Sequence, residues 1–184
     1  EIHAGLILDK DKSHTVTANI PDAADISVTL LSASKTFNMP GLGCAYAIVK
    51  NPILRNKLKK IMNGIVHHVG ALGFTATLAA YQNGKAWHSE LIEYLRLNRE
   101  QVEQTLSPCD GLTVYHSEAT YLTWIDARKM PVNNPSLYFE KFGVGLYDGA
   151  PFGAPGFLRL NYACPNSILQ EALKRIKSGL AELT

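Results

Sequence analysis

Leu30-Leu31-Ser32-Ala33-Ser34-Lys35-Thr36-Phe37-Asn38-Met39-Pro40-Gly41-Leu42 decides how this chain is read. The residues leading into it, Ile26 to Leu31, are mostly β-branched or aliphatic, which predicts a buried strand. The Asn-Met-Pro-Gly behind it is turn chemistry. Lys35 therefore stands at the mouth of a strand, just after two serines. Strand ends of open α/β sheets are where ligands bind. An amine carried there and partly desolvated has its ammonium form disfavoured and becomes a nucleophile toward carbonyl carbon. The same spacing also suits an ordinary solvated loop lysine, so the pattern alone leaves both readings open.

Working outward, the chain divides by hydrophobic period. Ile2 to Leu8 is strand-like, and Gly43 to Val49 is a further apolar strand. Asn51-Pro52 opens a basic amphipathic helix to Met62, with proline where the first turn tolerates it. Gly70 to Gln82 is small and apolar at helical spacing, which predicts a buried helix. Ala86 to Leu106 is a long helix with Leu91, Leu95 and Val102 on its apolar face and Glu93, Arg96, Arg99 and Glu103 on its wet face. Turn residues cluster at Ser107-Pro108-Cys109-Asp110-Gly111. Short strands at Leu112–Tyr115 and Tyr121–Ile125, a helix near Ser136–Phe142 and a strand at Phe157–Ala163 follow. Ser167-Ile168-Leu169-Gln170 has the capping-box pattern and opens a last helix, with Ile168, Ala172, Leu173, Ile176 and Leu180 as its stripe. Tyr121 and Trp124 read as small-domain core, and the glycine-rich run Gly143 to Gly156 as tight turns and a flap. That run lacks the Gly-Lys-Ser/Thr ending of a phosphate loop.

Four further segments carry information together with the lysine run: Glu1-Ile2-His3-Ala4, Ala119-Thr120-Tyr121-Leu122-Thr123-Trp124-Ile125-Asp126, Gly145-Leu146-Tyr147-Asp148-Gly149-Ala150-Pro151-Phe152-Gly153, and Gly156-Phe157-Leu158-Arg159-Leu160-Asn161-Tyr162-Ala163-Cys164-Pro165. In this order they resemble the fold-type I enzymes that use pyridoxal 5′-phosphate (PLP), in the aminotransferase class I/II group. Within that group they most resemble the cystathionine β-lyase-like (MalY/PatB) branch of carbon–sulfur lyases.

The resemblance implies an α/β fold: the C-terminal part of the fold-type I PLP-dependent large domain with its connecting helix, residues 1–106, then the small α+β C-terminal domain, residues 107–184. It implies Lys35 as the lysine that holds the cofactor covalently and later takes the Cα proton. Ser32, with Ser34 alongside, is implied as donor to the cofactor phosphate, where a neutral hydroxyl bonds a dianion without desolvating a second charge. His3 falls where a donor to the cofactor's 3-oxygen is expected. Arg159 matches the arginine that grips the substrate α-carboxylate, and its guanidinium fork suits that anion. An arginine inside an apolar strand is costly unless paired, which points independently to an anion. Many relatives place a phosphate-binding arginine eight residues after the lysine, where this chain has Gly43. That departure suits the lyase branch better than a general aminotransferase.

The implied activity is α,β-elimination from cystathionine or another cysteine S-conjugate, giving pyruvate, ammonia and a thiol. An aminotransferase on the same scaffold is the alternative, and a catalytically silent fragment or interaction module is a third. The cofactor-pairing aspartate of the family would immediately precede Glu1, so the chain is expected to be a C-terminal half that binds PLP weakly by itself. The intact protein is expected to be a homodimer acting on a small amino-acid substrate.

Composition restricts the remaining classes. Of 184 residues, 46% are hydrophobic, and 18 basic against 16 acidic residues give a net charge of +2. There is no basic stripe for nucleic acid and no apolar run near the ~20 residues that cross a bilayer. Cys44, Cys109 and Cys164 are odd in number and far apart. They predict reduced thiols and a cytoplasmic setting rather than a disulfide frame or a zinc site. The adjacent pair His67-His68 points apart on a helix and has no carboxylate cluster, so no metal site is expected.

Overall fold

Short strands alternate with longer helices through residues 1–183, the part described by the computed structural model. These elements gather into two units, Glu1 to Leu91 and Ile92 onward.

The first unit opens in turns rather than a strand. The Ala4 N–H donates to the Glu1 carbonyl at 3.0 Å and the Leu6 N–H to that of His3 at 2.9 Å. The strand expected over Ile2–Leu8 shrinks to one bridging residue, Ile7. Leu6 and Leu8 supply burial without a ladder. Strand β1 (Thr29–Leu31) pairs antiparallel with β2 (Tyr46–Ile48), Leu30 opposite Ala47. The buried strand expected here is mostly exposed: Thr29 is buried, whereas Ile26, Val28, Leu30 and Ile48 face outward. A two-stranded ribbon has too little sheet to cover both of its faces.

Helix α1 (Pro52–Met62) starts where expected, the Asn51 side chain accepting from the Ile53 N–H at 2.9 Å. This is the N-cap bond that satisfies otherwise orphaned donors. Helix α2 (Ala71–Asn83) also forms, but its expected burial does not. Only Gly73 is buried, and Leu72 is 75% exposed. Apolar composition sets what a helix would gain by burial; a neighbour has to provide the cover.

Helix α3 (Lys85–Leu106) runs through the boundary between the units. In the second unit it buries Ile92, Leu95, Asn98, Arg99, Val102 and Leu106. Arg99, expected on the wet face, is only 7% exposed, and it donates to the Ser117 carbonyl at 2.8 Å. A guanidinium is tolerated there because a carbonyl meets it.

The rest of the second unit is a four-stranded antiparallel sheet in the order β3 (Thr113–Val114), β4 (Leu122–Asp126), β6 (Phe157–Asn161), β5 (Tyr147–Asp148), with helices α4 (Pro135–Glu140) and α5 (Asn166–Ala181). Period-two alternation sorts the central strands. Thr123, Ile125, Leu158 and Leu160 are buried, while Trp124, Phe157 and Arg159 belong to the other, half-exposed face. Trp124, expected in the core, thus lies outside it.

The last helix begins at Asn166 with Pro165 as its cap and no side-chain cap bond, so the capping box does not form. Asn166 has other partners: its Nδ2 donates to Asn98 Oδ1 at 3.0 Å and to Gln101 Oε1 at 2.7 Å. Leu169, Leu173 and Ile176 make the buried stripe, and Ile168, expected in it, is exposed. Among the described residues no helix is long and apolar enough to cross a membrane.

Candidate active site

Strand β1 delivers the chain into a turn over residues 33–38. The Phe37 N–H donates to the Ala33 carbonyl at 2.9 Å and the Met39 N–H to that of Ser34 at 3.0 Å, which winds Lys35 into the bend. Asn38 closes it at φ 49°, a left-handed conformation that asparagine tolerates better than most residues. Ala33 and Thr36 are buried, so the turn is anchored on both sides of a half-buried Lys35.

The Glu1–Leu6 turns lie directly against it. A Cβ on Gly5 would come within 2.8 Å of Thr36 Oγ1, so this approach requires glycine. His88, on α3, fixes the same peptide: its Nε2 is 2.5 Å from the Gly5 carbonyl. A carbonyl only accepts, so Nε2 carries the hydrogen. Phe37 stacks on Trp87 at 5.8 Å and meets His88 at 6.0 Å and Tyr81 edge-on at 6.1 Å, walling one side of the turn. His3 is brought close enough to Lys35 to feel its charge. Burial, and then the Lys35 ammonium, hold the imidazole pKa below its ordinary 6.5.

The two serines form one unit. Ser32 Oγ donates to the Cys44 carbonyl at 2.6 Å, accepts from the Ser34 N–H at 3.1 Å and lies 2.9 Å from Ser34 Oγ. A hydroxyl has one hydrogen. Ser32 can therefore give it to the Cys44 carbonyl or to Ser34 Oγ, and in the first case the Ser34 hydroxyl donates across the pair. Gly43, in the position of the family arginine, is exposed and left-handed at φ 55°.

Arg159 belongs to the second unit, on β6, with Trp124 and Tyr147 as its cross-strand partners. Its Cζ lies 4.5 Å from the Tyr147 ring centroid and 4.7 Å from that of Phe152. Its Nε is buried without an acceptor, and among the described residues no carboxylate pairs with it. The contrast with Arg128 is direct: that guanidinium binds Asp126 through Nε at 3.0 Å and Nη2 at 2.8 Å, which holds the Asp126 carboxyl below its usual range.

Sequence reasoning missed four contributors: Gly5 and His88 around the lysine turn, and Tyr147 and Phe152 around the arginine. The aromatic pair was accessible in principle, since pairing Gly145–Gly149 with the Phe157 strand as a hairpin sets Tyr147 opposite Arg159. Nothing local marks His88 or Gly5, whose contact spans 83 residues.

Residues 1–176 match the family model for aminotransferase class I and II, and the chain belongs to that family. It is 36% identical to the cystathionine beta-lyase PatB of Bacillus subtilis, covering 98% of this chain and 49% of that protein. Among solved structures it superposes on OvoB with a TM-score of 0.95 at 39% identity, covering 97% of this chain and 48% of that one. Cystalysin from Treponema denticola, whose structure contains pyridoxal 5′-phosphate, gives a TM-score of 0.91 at 30% identity over all of this chain and 48% of that one. The chain thus spans about half the length of the relatives it matches.

Proposed function

We propose that the protein to which this chain belongs is a PLP-dependent carbon–sulfur β-lyase. The observation that carries the reading is the lysine turn, where an amine, an imidazole that feels the amine's charge and two linked hydroxyls meet. That donor set fits the cofactor: an amine for its aldehyde, hydroxyl and backbone N–H donors for its phosphate, an imidazole for its phenolic oxygen. Bound PLP supplies the electron sink for a carbanion at the substrate Cα.

The chain's own residues supply the rest. Lys35 holds the cofactor and, once released, takes the Cα proton as general base. Ser32, with Ser34 alongside, donates to the phosphate by turning its hydroxyl away from the Cys44 carbonyl. His3 stays largely neutral at pH 7 and offers a hydrogen bond without adding a cation beside Lys35. Arg159 holds the α-carboxylate. In the net reaction the Cα–H and Cβ–S bonds break, the sulfur leaves as a thiol, and water releases pyruvate and ammonia.

The match to PatB favours this outcome; the family's own description favours amino transfer as the second reading. The test is L-cystathionine supplied to the PLP-loaded whole protein with no keto acid present. Thiol and pyruvate are expected, and Lys35→Ala abolishes both. Amino transfer that depends on an added keto acid, with no thiol released, would overturn the lyase reading in favour of the aminotransferase.

A further inference from the structure

The surroundings of Arg159 restrict how an anion reaches it. The Tyr147 and Phe152 rings pack against the guanidinium, with Cζ 4.5 and 4.7 Å from their centroids. Nε is buried without an acceptor, whereas the two terminal nitrogens reach solvent and make no hydrogen bond among the described residues. A guanidinium binds a carboxylate either from the side, through Nε and one terminal nitrogen, or end-on, through both terminal nitrogens. Burial of Nε closes the side approach, while the rings leave the terminal N–H edge open.

We propose that Tyr147 and Phe152 are positioning residues that make Arg159 an end-on carboxylate receptor. They hold the planar fork by cation–π contact before the anion arrives, so less side-chain entropy is lost on binding. Their anchorage differs. Tyr147 faces Arg159 across the β5–β6 ladder, whereas Phe152 is carried by the 3₁₀ turn Ala150–Phe152 and meets Trp124 edge-on at 6.1 Å. Both rings are largely exposed, 63% and 54%, which is unusual for aromatics whose only task is to fill a core. Arg99 supplies the internal control: also buried at Nε, it is held by the Ser117 carbonyl and serves the fold.

The proposal rests on Arg159 being the carboxylate anchor, and the experiment separates the two. The full chain, labelled with ¹⁵N-arginine, is titrated with sodium acetate at constant ionic strength, and the Arg159 signals are assigned by their loss in Arg159→Lys. Acetate is expected to move the terminal Nη resonances more than Nε. Phe152→Ala and Tyr147→Ala are each expected to weaken acetate binding about 2- to 30-fold, the range of one cation–π contact. Tyr147→Phe is expected to restore it to within about twofold, since the ring face is kept. Because both side chains are exposed, thermal unfolding should stay near wild type, and that measurement separates positioning from folding. Strong binding in the alanine variants, or a dominant Nε shift, would overturn the clamp while leaving the anchor intact. No acetate-dependent shift in the wild-type chain would overturn both.

Discussion

The two units handle their apolar residues in opposite ways. In the second, Ile125, Leu158, Leu160, Phe139, Leu169, Leu173 and Ile176 are buried, and helix α3 adds Leu95, Val102 and Leu106. In the first, Leu6, Leu8, Ala33 and Val49 are buried, while Ile26, Leu30, Ile53, Ile61, Leu72, Phe74 and Leu78 are exposed. Both units have sequence suited to burial, but within this chain, which spans about half the length of its relatives, only the second has described elements that cover it. A sheet with one face packed on helices can close a core, and a two-stranded ribbon beside an uncovered helix cannot. Hydrophobic period therefore reports the face that seeks cover, and topology decides whether cover is found.

The largest test of this contrast is aromatic truncation in each unit. Phe139→Ala, at a fully buried site, is expected to cost about 3–5 kcal/mol of stability in urea unfolding. Phe74→Ala, at a side chain 61% exposed, is expected to stay within about 0.5 kcal/mol. Equal losses at the two sites would show that α2 is packed in solution and would break the contrast.

Polar groups sharpen it at a smaller scale. Asn98 Nδ2 donates to the Tyr162 carbonyl at 2.9 Å from within the second unit's core, and Asn98 Oδ1 accepts from Asn166. Asn98→Ala strands those groups away from water, with an expected cost of about 1–3 kcal/mol. Asn51→Ala removes the cap of α1 and the bond from Nδ2 to the Asp25 carbonyl, both solvent-exposed, with an expected cost of about 1 kcal/mol. Urea midpoints of the two variants give the comparison; an Asn51 effect larger than that of Asn98 would contradict the assignment of the rigid core to the second unit.

The legible parts of the chain were those set by local chemistry. Pro52 after a capping asparagine gave the start of α1, and alternation gave β4 and β6 to within one or two residues. Asn-Met-Pro-Gly gave the break behind the lysine, although the turn that holds Lys35 begins earlier, at residue 33. What local sequence could not supply was tertiary: the outward faces of β1 and α2, the inward turn of Arg99, and the diversion of Asn166 to Asn98 and Gln101. The candidate site divides the same way. Lys35 and Arg159 stood out by residue type and motif, Tyr147 follows from the hairpin that pairs it with Arg159, and Gly5 and His88 are joined across 83 residues.

The smallest expected effect concerns the lysine turn itself. His3 has its pKa lowered, first by burial and then by the Lys35 ammonium. The sign follows from proton counting: between that lowered value and 6.5 the unfolded chain binds a proton that the folded chain does not. Stability therefore falls as pH drops below 6.5 and is fully recovered above it. Lys35→Met removes the second cause and leaves the first. The His3 pKa, followed by its ring-proton NMR shift, should rise in that variant yet remain below 6.5. A return all the way to 6.5 would make charge rather than burial the dominant cause. No movement would separate the imidazole from the amine, and would break the donor set proposed for the cofactor.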